Sequence, residues 1–409
     1  VSTDRLYKDL IIIGAGPAGL SAAAVAAAQG LQVAIIDEFP EPGGRMLGQF
    51  HQEPGKGMWV GKQIAEQLIG TVRSLGGTIC CGISVYGLLK LDDKWEVSTS
   101  KGCMISRFVL LATGAAEAPV LIPGWTLPGV LSIGAVQVLT NVHYVKPGHR
   151  GMIIGMNMLA MAITSELAAS GVSLSCMVLP ASPLAGKAGN PVANLTALMT
   201  LSHLAPTSWM RWGGQLAGRL RLSGHAVALL PRRGIKAWGI PLLLRTAAVS
   251  INGRNEVESV TLVDLDRHGK PIAGSQREEK VDFVALAGGL YPLAELASVA
   301  GCPFVDIEEL GGHVPLHNER LQTPVDGLYV AGNITGVESA QVAMAQGQLA
   351  AISICSACGL VGSEADDQLT AAIHHVNHVR STSLIQFHPG IQQARNKLYR
   401  MMEGGEQLE

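Results

Sequence analysis

The first apolar run, Leu10 to Ile13, follows a short polar stretch, Val1 to Lys8, and breaks into Gly14-Ala15-Gly16-Pro17-Ala18-Gly19-Leu20. Ser21 to Gln29 is alanine-rich and predicts a helix. Gln32 to Ile36 predicts a second strand that ends at Asp37 and Glu38. An uninterrupted apolar strand next to a helix is the pattern of a parallel sheet buried on both faces. Further on, Met58 to Leu75 predicts an amphipathic helix, with Val60, Ile64, Leu68 and Val72 on one side. Gly82 to Leu91 and Lys94 to Ser98 predict a hairpin about Asp92-Asp93, and Phe108 to Ala112 a buried strand running into Thr113-Gly114.

From Gly148 the pattern restarts. Gly151 to Ile154 predicts a strand, Gly155 a turn, the segment through Ala169 a helix, and Ser173 to Leu179 a returning strand. The whole run Gly151 to Ser170 is free of charge apart from Glu166, yet its glycines and strand-then-helix pattern fit a buried crossover better than a membrane span. Thr246 to Asp266 returns to strands with a turn at Asn252-Gly253, and Val281 to Ala287 predicts a buried strand into Gly288-Gly289. A third glycine turn, Gly327 to Gly336, precedes a helix from Ser339 to Ile354. The expected fold is α/β: two Rossmann-like dinucleotide-binding domains, the first discontinuous, plus a short helical C-terminal tail. The expected boundaries are 1–118 and 282–360 for the first domain, 119–281 for the second, and 361–409 for the tail.

The opening turn carries chemistry. Gly14 permits the tight bend, Gly16 lets a pyrophosphate approach the backbone, and Gly19 lets the helix pack against the strand. Pro17 and Ala18 open a helix whose N-terminus offers free N–H groups and a positive dipole end to an anion. Asp37, about 20 residues past the turn, stands where an acid would hold a ribose hydroxyl. Phe39 to Arg45 adds paired glycines, Gly43 and Gly44, beside the nucleotide. In the repeat, Gly155-Met156-Asn157-Met158-Leu159-Ala160 puts Asn157 where the backbone should be bare, and the next strand ends in Pro180 rather than an acid. That copy is not expected to hold NAD(P) in the ordinary way.

Composition narrows the rest. Of 409 residues only 15% are charged and 49 are glycine, which suits buried strands and closely packed helices or a surface covered by a partner. The net charge of −2 gives no global reason to expect nucleic-acid binding. Seven cysteines in scattered positions argue for a reducing compartment. No secretory signal is read in Val1 to Lys8, and the expected location is cytoplasmic. Leu167 to Asn255 has no Asp or Glu but carries Lys187, Arg211, Arg219, Arg221, Arg232, Arg233, Lys236 and Arg245, interleaved with Trp209, Trp212 and Trp238. It reads equally as a docking face, for an acidic subunit or the inner face of a membrane peripherally, and as a basic solvated surface.

These glycine turns, with Ala112-Thr113-Gly114 and Pro123-Gly124-Trp125-Thr126-Leu127-Pro128-Gly129-Val130, resemble the two-dinucleotide-domain flavoprotein superfamily, glutathione-reductase-like in fold. Within it the chain is similar to the FAD subunits of dye-linked amino-acid and opine dehydrogenases (proline dehydrogenase, octopine and nopaline oxidase) and of hydrogen cyanide synthase. The resemblance covers about the first 360 residues. It implies FAD at Gly14, Gly16, Pro17, Ala18 and Gly19, with Asp37 and Glu38 at the ribose and Gly43, Gly44, Arg45, Thr113 and Gly114 alongside. Gly332 and Asn333 would lie near the ribityl end, although Asn333 replaces the usual aspartate. Some related subunits hold NAD or an adenine nucleotide (ATP or ADP) there instead.

Two features of such relatives are missing. No redox CxxC stands in the second domain, and no cysteine cluster follows Cys358, so an iron–sulfur cluster or FMN would be shared with partner subunits. Cys355-Ser356-Ala357-Cys358 reads as two core cysteines on a helix. His374, His375 and His378 read as solvated histidines rather than a metal site. Phe387 to Met402 reads as a basic amphipathic helix suited to a partner.

The expected function is an FAD-binding subunit of a hetero-oligomeric amino-acid or opine dehydrogenase. Its partners would be a second flavoprotein subunit and a small iron–sulfur subunit, its substrate of amino-acid type, and its acceptor other than NAD(P). The alternatives are an NAD(P)H:acceptor reductase and a non-catalytic nucleotide-binding assembly subunit. No catalytic residue is assigned.

Overall fold

The computed structural model describes residues 6–53, 57–181, 189–200, 231, 234–266, 268–360, 364–384 and 386–404. The chain forms two compact units, one of Val1–Ala116 with Leu290–Glu409 and one of Glu117–Gly289.

In the first unit the strand Leu6–Ile13 lies between parallel neighbours, Val33–Ile36 on one side and Gly102–Leu111 on the other. Successive strand residues point to opposite faces. Leu10 and Ile12 therefore enter one core with the alanine-rich helix Pro17–Ala28, while Ile11 and Ile13 enter another with Trp95, Val97 and Leu328. All four are at most 5% exposed, which is why the run shows no alternation. The other edge of Gly102–Leu111 is long enough to serve two further partners: its start pairs antiparallel with Lys94–Thr99, its end parallel with Leu328–Val330. Val85–Leu91 completes the expected hairpin, turning at Asp92 in the left-handed region (φ 50°).

Two expectations change here. The helix placed over Met58–Leu75 begins only at Gly61, because Gly57–Val60 pairs with Phe50–Glu53 and its backbone groups are committed to that hairpin. Gly61 then sits where a Cβ would overlap the Met46 carbonyl. The tail is also part of this unit. Ile391–Met402 buries Ile391, Ala394 and Leu398 against Val305, Ile307, Leu310, Val314 and Leu316, so the apolar face read as free for a partner is covered by its own chain.

The second unit repeats the crossover as expected: Gly151–Ile154, the helix Met158–Ala169, and Leu174–Pro180. Phe283–Leu286 pairs with both Val130–Ser132 and Gly151–Ile154. That pairing keeps 282–289 in this unit, and the first unit resumes at Leu290 rather than at 282. Ile240–Asn252 pairs with Ser259–Asp264, and residues 253–258 form a wider connection than a two-residue turn. Of the basic stretch, Lys187, Arg211, Arg219, Arg221, Arg232, Arg233, Trp209 and Trp212 lie outside the described residues. Among the described residues no helix is long and apolar enough to cross a membrane.

The helix Ala340–Ala357 crosses Pro17–Ala28 closely, and Gly347 stands where a Cβ would overlap the Ala18 carbonyl. Gly347→Ala is expected to lower stability by about 1–3 kcal/mol, as overpacking does elsewhere. Denaturant unfolding checks it; an unchanged midpoint would refute the close crossing.

Candidate functional site

The three glycines of the opening turn are constrained in three different ways. Gly14 is left-handed (φ +108°), and a Cβ there would overlap the Ala112 carbonyl oxygen. A Cβ on Gly19 would overlap the Gly14 carbonyl oxygen. Gly16 differs: a Cβ there would meet no protein atom within 4 Å. Protein packing thus forbids side chains at Gly14 and Gly19, whereas Gly16 is bare toward open space. Gly16 also N-caps Pro17–Ala28 with no side-chain cap, and the first helical bond runs from Leu20 N to Gly16 O (3.0 Å). The amides of Ala18 and Gly19 precede that bond, as at any helix start. The arrangement fits a bound pyrophosphate.

Neighbouring residues brace this cradle. Gly43 N donates to Ala15 O (2.8 Å), and a Cβ on Gly44 would stand 3.0 Å from Gly16 Cα. Arg45 is exposed on the short helix Gly44–Gly48. Asp37, 9% exposed, accepts from Ala15 N (2.5 Å) and Phe39 N (2.8 Å), one bond to each oxygen. Its carboxylate therefore fixes the turn itself; each oxygen keeps lone-pair capacity for a hydroxyl. Glu38 beside it is exposed. Thr113 donates to Leu293 O (2.5 Å), while Leu293 N donates to Gly114 O (3.1 Å), which joins this edge to the returning segment.

The third glycine turn also reaches the cradle, since a Cβ on Gly332 would stand 2.9 Å from Ala18 Cβ. A short helix, Gly332–Thr335, intervenes before Ala340–Ala357, which Ser339 caps, and Gly332 N donates to Gln346 Oε1 (2.8 Å). Asn333 Oδ1 accepts from Glu338 N (3.1 Å).

Behind this turn lies a buried ionic group the sequence did not reveal. Glu338 accepts from Arg380 Nε (2.6 Å), and from Arg395 Nε (2.9 Å) and Nη2 (2.5 Å). Burial alone would raise the Glu338 carboxyl, but the guanidiniums of Arg395 and Arg380 hold it below its ordinary value. His317, fully buried, is pushed down to about 3, by burial first and then by the charge of Arg395. Its neutral ring donates from Nδ1 to Pro315 O (2.7 Å). Arg380 and Arg395 lie in the polar tail, and nothing in their spacing marks them as inward-facing.

In the second unit the equivalent cradle is filled. Gly155 (φ +116°) backs onto the Ala287 carbonyl as Gly14 does onto that of Ala112. Asn157 occupies the bare position: its Nδ2 donates to Ala287 O (2.9 Å) and its Oδ1 accepts from Ala160 N (2.9 Å). The side chain takes the helix amide that a phosphate would use. Cys355 is buried and pushed up to about 12 by burial, as a core thiol would be, and Cys358 is half-buried. His374, His375 and His378 lie on the helix Ala365–Thr382, and all three are exposed.

The family described as FAD dependent oxidoreductase matches residues 9–84, the stretch that holds the open cradle and Asp37. Over 384 residues the chain is 28% identical to an opine oxidase subunit of Agrobacterium tumefaciens (strain Ach5), covering 89% of this chain and 69% of that one. It is 25% identical over 407 residues to hydrogen cyanide synthase subunit HcnB of Pseudomonas aeruginosa, covering 96% and 80%. The solved structure of L-proline dehydrogenase from P. horikoshii is similar with a TM-score of 0.64 at 21% identity, covering 90% of this chain and 59% of that chain. Over residues 9–84 the chain is thus similar to FAD-dependent oxidoreductases, and over most of its length to subunits of multi-subunit enzymes. Its particular likeness is to the opine oxidase and hydrogen cyanide synthase subunits.

The depressed His317 gives a pH signature. Its folded pKa lies below the ordinary 6.5, so the unfolded chain takes up a proton first and stability falls as pH drops from about 6.5 toward 3. Glu338, also depressed, adds its loss only below its ordinary 4.5. His317→Gln is expected to flatten the slope of melting temperature between pH 6.5 and 5, without abolishing it, because burial lowers His51 too. An unaltered slope would refute the assignment.

Proposed function

We propose that this chain is the FAD-binding subunit of a hetero-oligomeric dehydrogenase. In this reading a partner flavoprotein subunit oxidises an amino acid or opine at its C–N bond, and electrons leave for an acceptor other than NAD(P). The observation that carries the reading is the contrast between two copies of one turn: Gly16 faces open space, while Asn157 fills its own cradle. One dinucleotide site is available and the second is closed by a side chain bonded on both its polar atoms. The names of the relatives, each a subunit of an oxidase or synthase, support the partner and the class of substrate.

FAD, when bound, supplies the electron-transfer chemistry; the protein supplies position and electrostatics. Gly14, Gly16, Pro17, Ala18, Gly19 and Gly44 would hold the pyrophosphate, with Gly43 and Arg45 alongside. Asp37 and Glu38 would hold the adenosine ribose. Thr113 and Gly114 would close the near edge, and Gly332 and Asn333 would meet the ribityl end. Any iron–sulfur cluster or FMN would be held with the partner subunits.

Protein purified from its native cell is expected to release FAD on denaturation and to copurify with a second flavoprotein. Release of ATP or ADP and no flavin would favour an assembly role instead. Gly16→Val is expected to abolish flavin binding while leaving the far-ultraviolet circular dichroism unchanged, because the added side chain enters open space and not the core. Anaerobic NADH or NADPH is expected to leave the flavin spectrum unaltered. Rapid bleaching by either would overturn the closed second cradle.

A further inference from the structure

We propose that the C-terminal helices clamp the Gly332 turn, so that occupancy of the cofactor site and docking of Ile391–Met402 are coupled through Arg395, Arg380 and Glu338. This rests on reading Gly332 and Asn333 as part of the FAD site.

The coupling follows an unbroken set of bonds within the first unit. Arg395 Nη2 donates to Thr335 Oγ1 (3.1 Å), and Thr335 Oγ1 donates to Gly332 O (2.8 Å). Gly332 N donates to Gln346 Oε1 (2.8 Å), and Gln346 Nε2 donates to Glu338 Oε2 (3.3 Å). Glu338 N, in turn, donates to Asn333 Oδ1 (3.1 Å). Both backbone groups of Gly332, a residue held at φ +78°, are therefore fixed by side chains that the tail arginines help to hold.

The charges do not balance. Two guanidiniums share one carboxylate, with Arg395 at 0%, Arg380 at 5% and Glu338 at 7% exposure. Among the described residues, Arg395 Nη1 and His317 Nε2 are buried and have no hydrogen-bond partner. An excess positive charge with an unmet donor is held just behind a turn whose own residue, Asn333, contributes no negative charge. Such a cluster favours the anionic pyrophosphate of a dinucleotide at Ala18, whose Cβ lies 2.9 Å from where a Cβ on Gly332 would stand, and gains from the order that ligand imposes on the turn. Anything that fixes the turn then fixes the tail, and the effect is reciprocal because linkage is. Arg380 and Arg395 are positioning residues, not catalytic ones.

Hydrogen exchange of the full chain, with FAD added or stripped, tests this. With FAD bound, amides of Ile391–Met402 are expected to exchange more slowly, on the order of tenfold. Flavin fluorescence titration of Arg395→Gln is expected to show weaker FAD binding by a similar factor, with Arg395→Lys intermediate and the exposed Arg400→Gln unchanged. FAD that binds without altering exchange in 391–402 overturns the clamp and leaves the proposed function standing. FAD that fails to bind overturns both. Should Arg395→Gln not fold, the exchange measurement on the unaltered chain decides alone.

Discussion

The structure depends on a turn pinned on one side and bare on the other. The Ala112 carbonyl and the Gly14 carbonyl leave no room for a side chain at Gly14 or Gly19, so strand and helix meet here backbone against backbone. The same bend leaves Gly16 facing space that no protein atom fills. Asp37, Gly43 and Gly44 all bond to or abut this bend, which makes its conformation rigid before any ligand arrives. Preorganised amides of this kind lose little on binding an anion, because no loop must be ordered to reach it.

The second unit shows how little separates a cofactor cradle from a structural turn. Its topology is the same, and Gly155 meets Ala287 as Gly14 meets Ala112. One amide side chain changes the outcome: Asn157 satisfies the helix amide of Ala160 and a strand carbonyl together. A helix N-terminus must have its donors met by something, a ligand or a cap. Gly16 leaves that requirement open and Asn157 closes it. A fold alone therefore does not count binding sites; the residue at one position does.

Both crossovers were legible in the sequence because their signals are local: an apolar run buried on both faces, glycines at fixed spacing, an alanine-rich helix. The Asn157 closure was legible for the same reason. The start of the helix at Gly61 was not, since what overrides the 3.6-residue pattern of Met58–Val60 is pairing with Phe50–Glu53, a tertiary contact. The boundary at Leu290 was missed because Phe283–Leu286 is equally apolar in either sheet, and only its neighbours Val130–Ser132 and Gly151–Ile154 decide. Of the candidate site, the glycines could be read and the Glu338 group could not. Its arginines lie 42 and 57 residues from Glu338 in sequence, and buried arginines look like surface ones until the fold places them.

That placement changes what the tail can do. The helix Ile391–Met402 has the amphipathic pattern of a docking element, yet Ile391, Ala394 and Leu398 already sit in a core with Leu310 and Val314. Its remaining side carries Gln393, Asn396, Lys397 and Arg400, all exposed. Association through that side would be polar and weakened by salt, because exposed charges are screened within about 10 Å at ordinary ionic strength. The apolar face, meanwhile, carries Arg395 inward to Glu338 and Thr335. A partner pulling on the tail would act on the Gly332 turn and not merely on the surface, since removing one charge of a buried, shared pair leaves the others uncompensated.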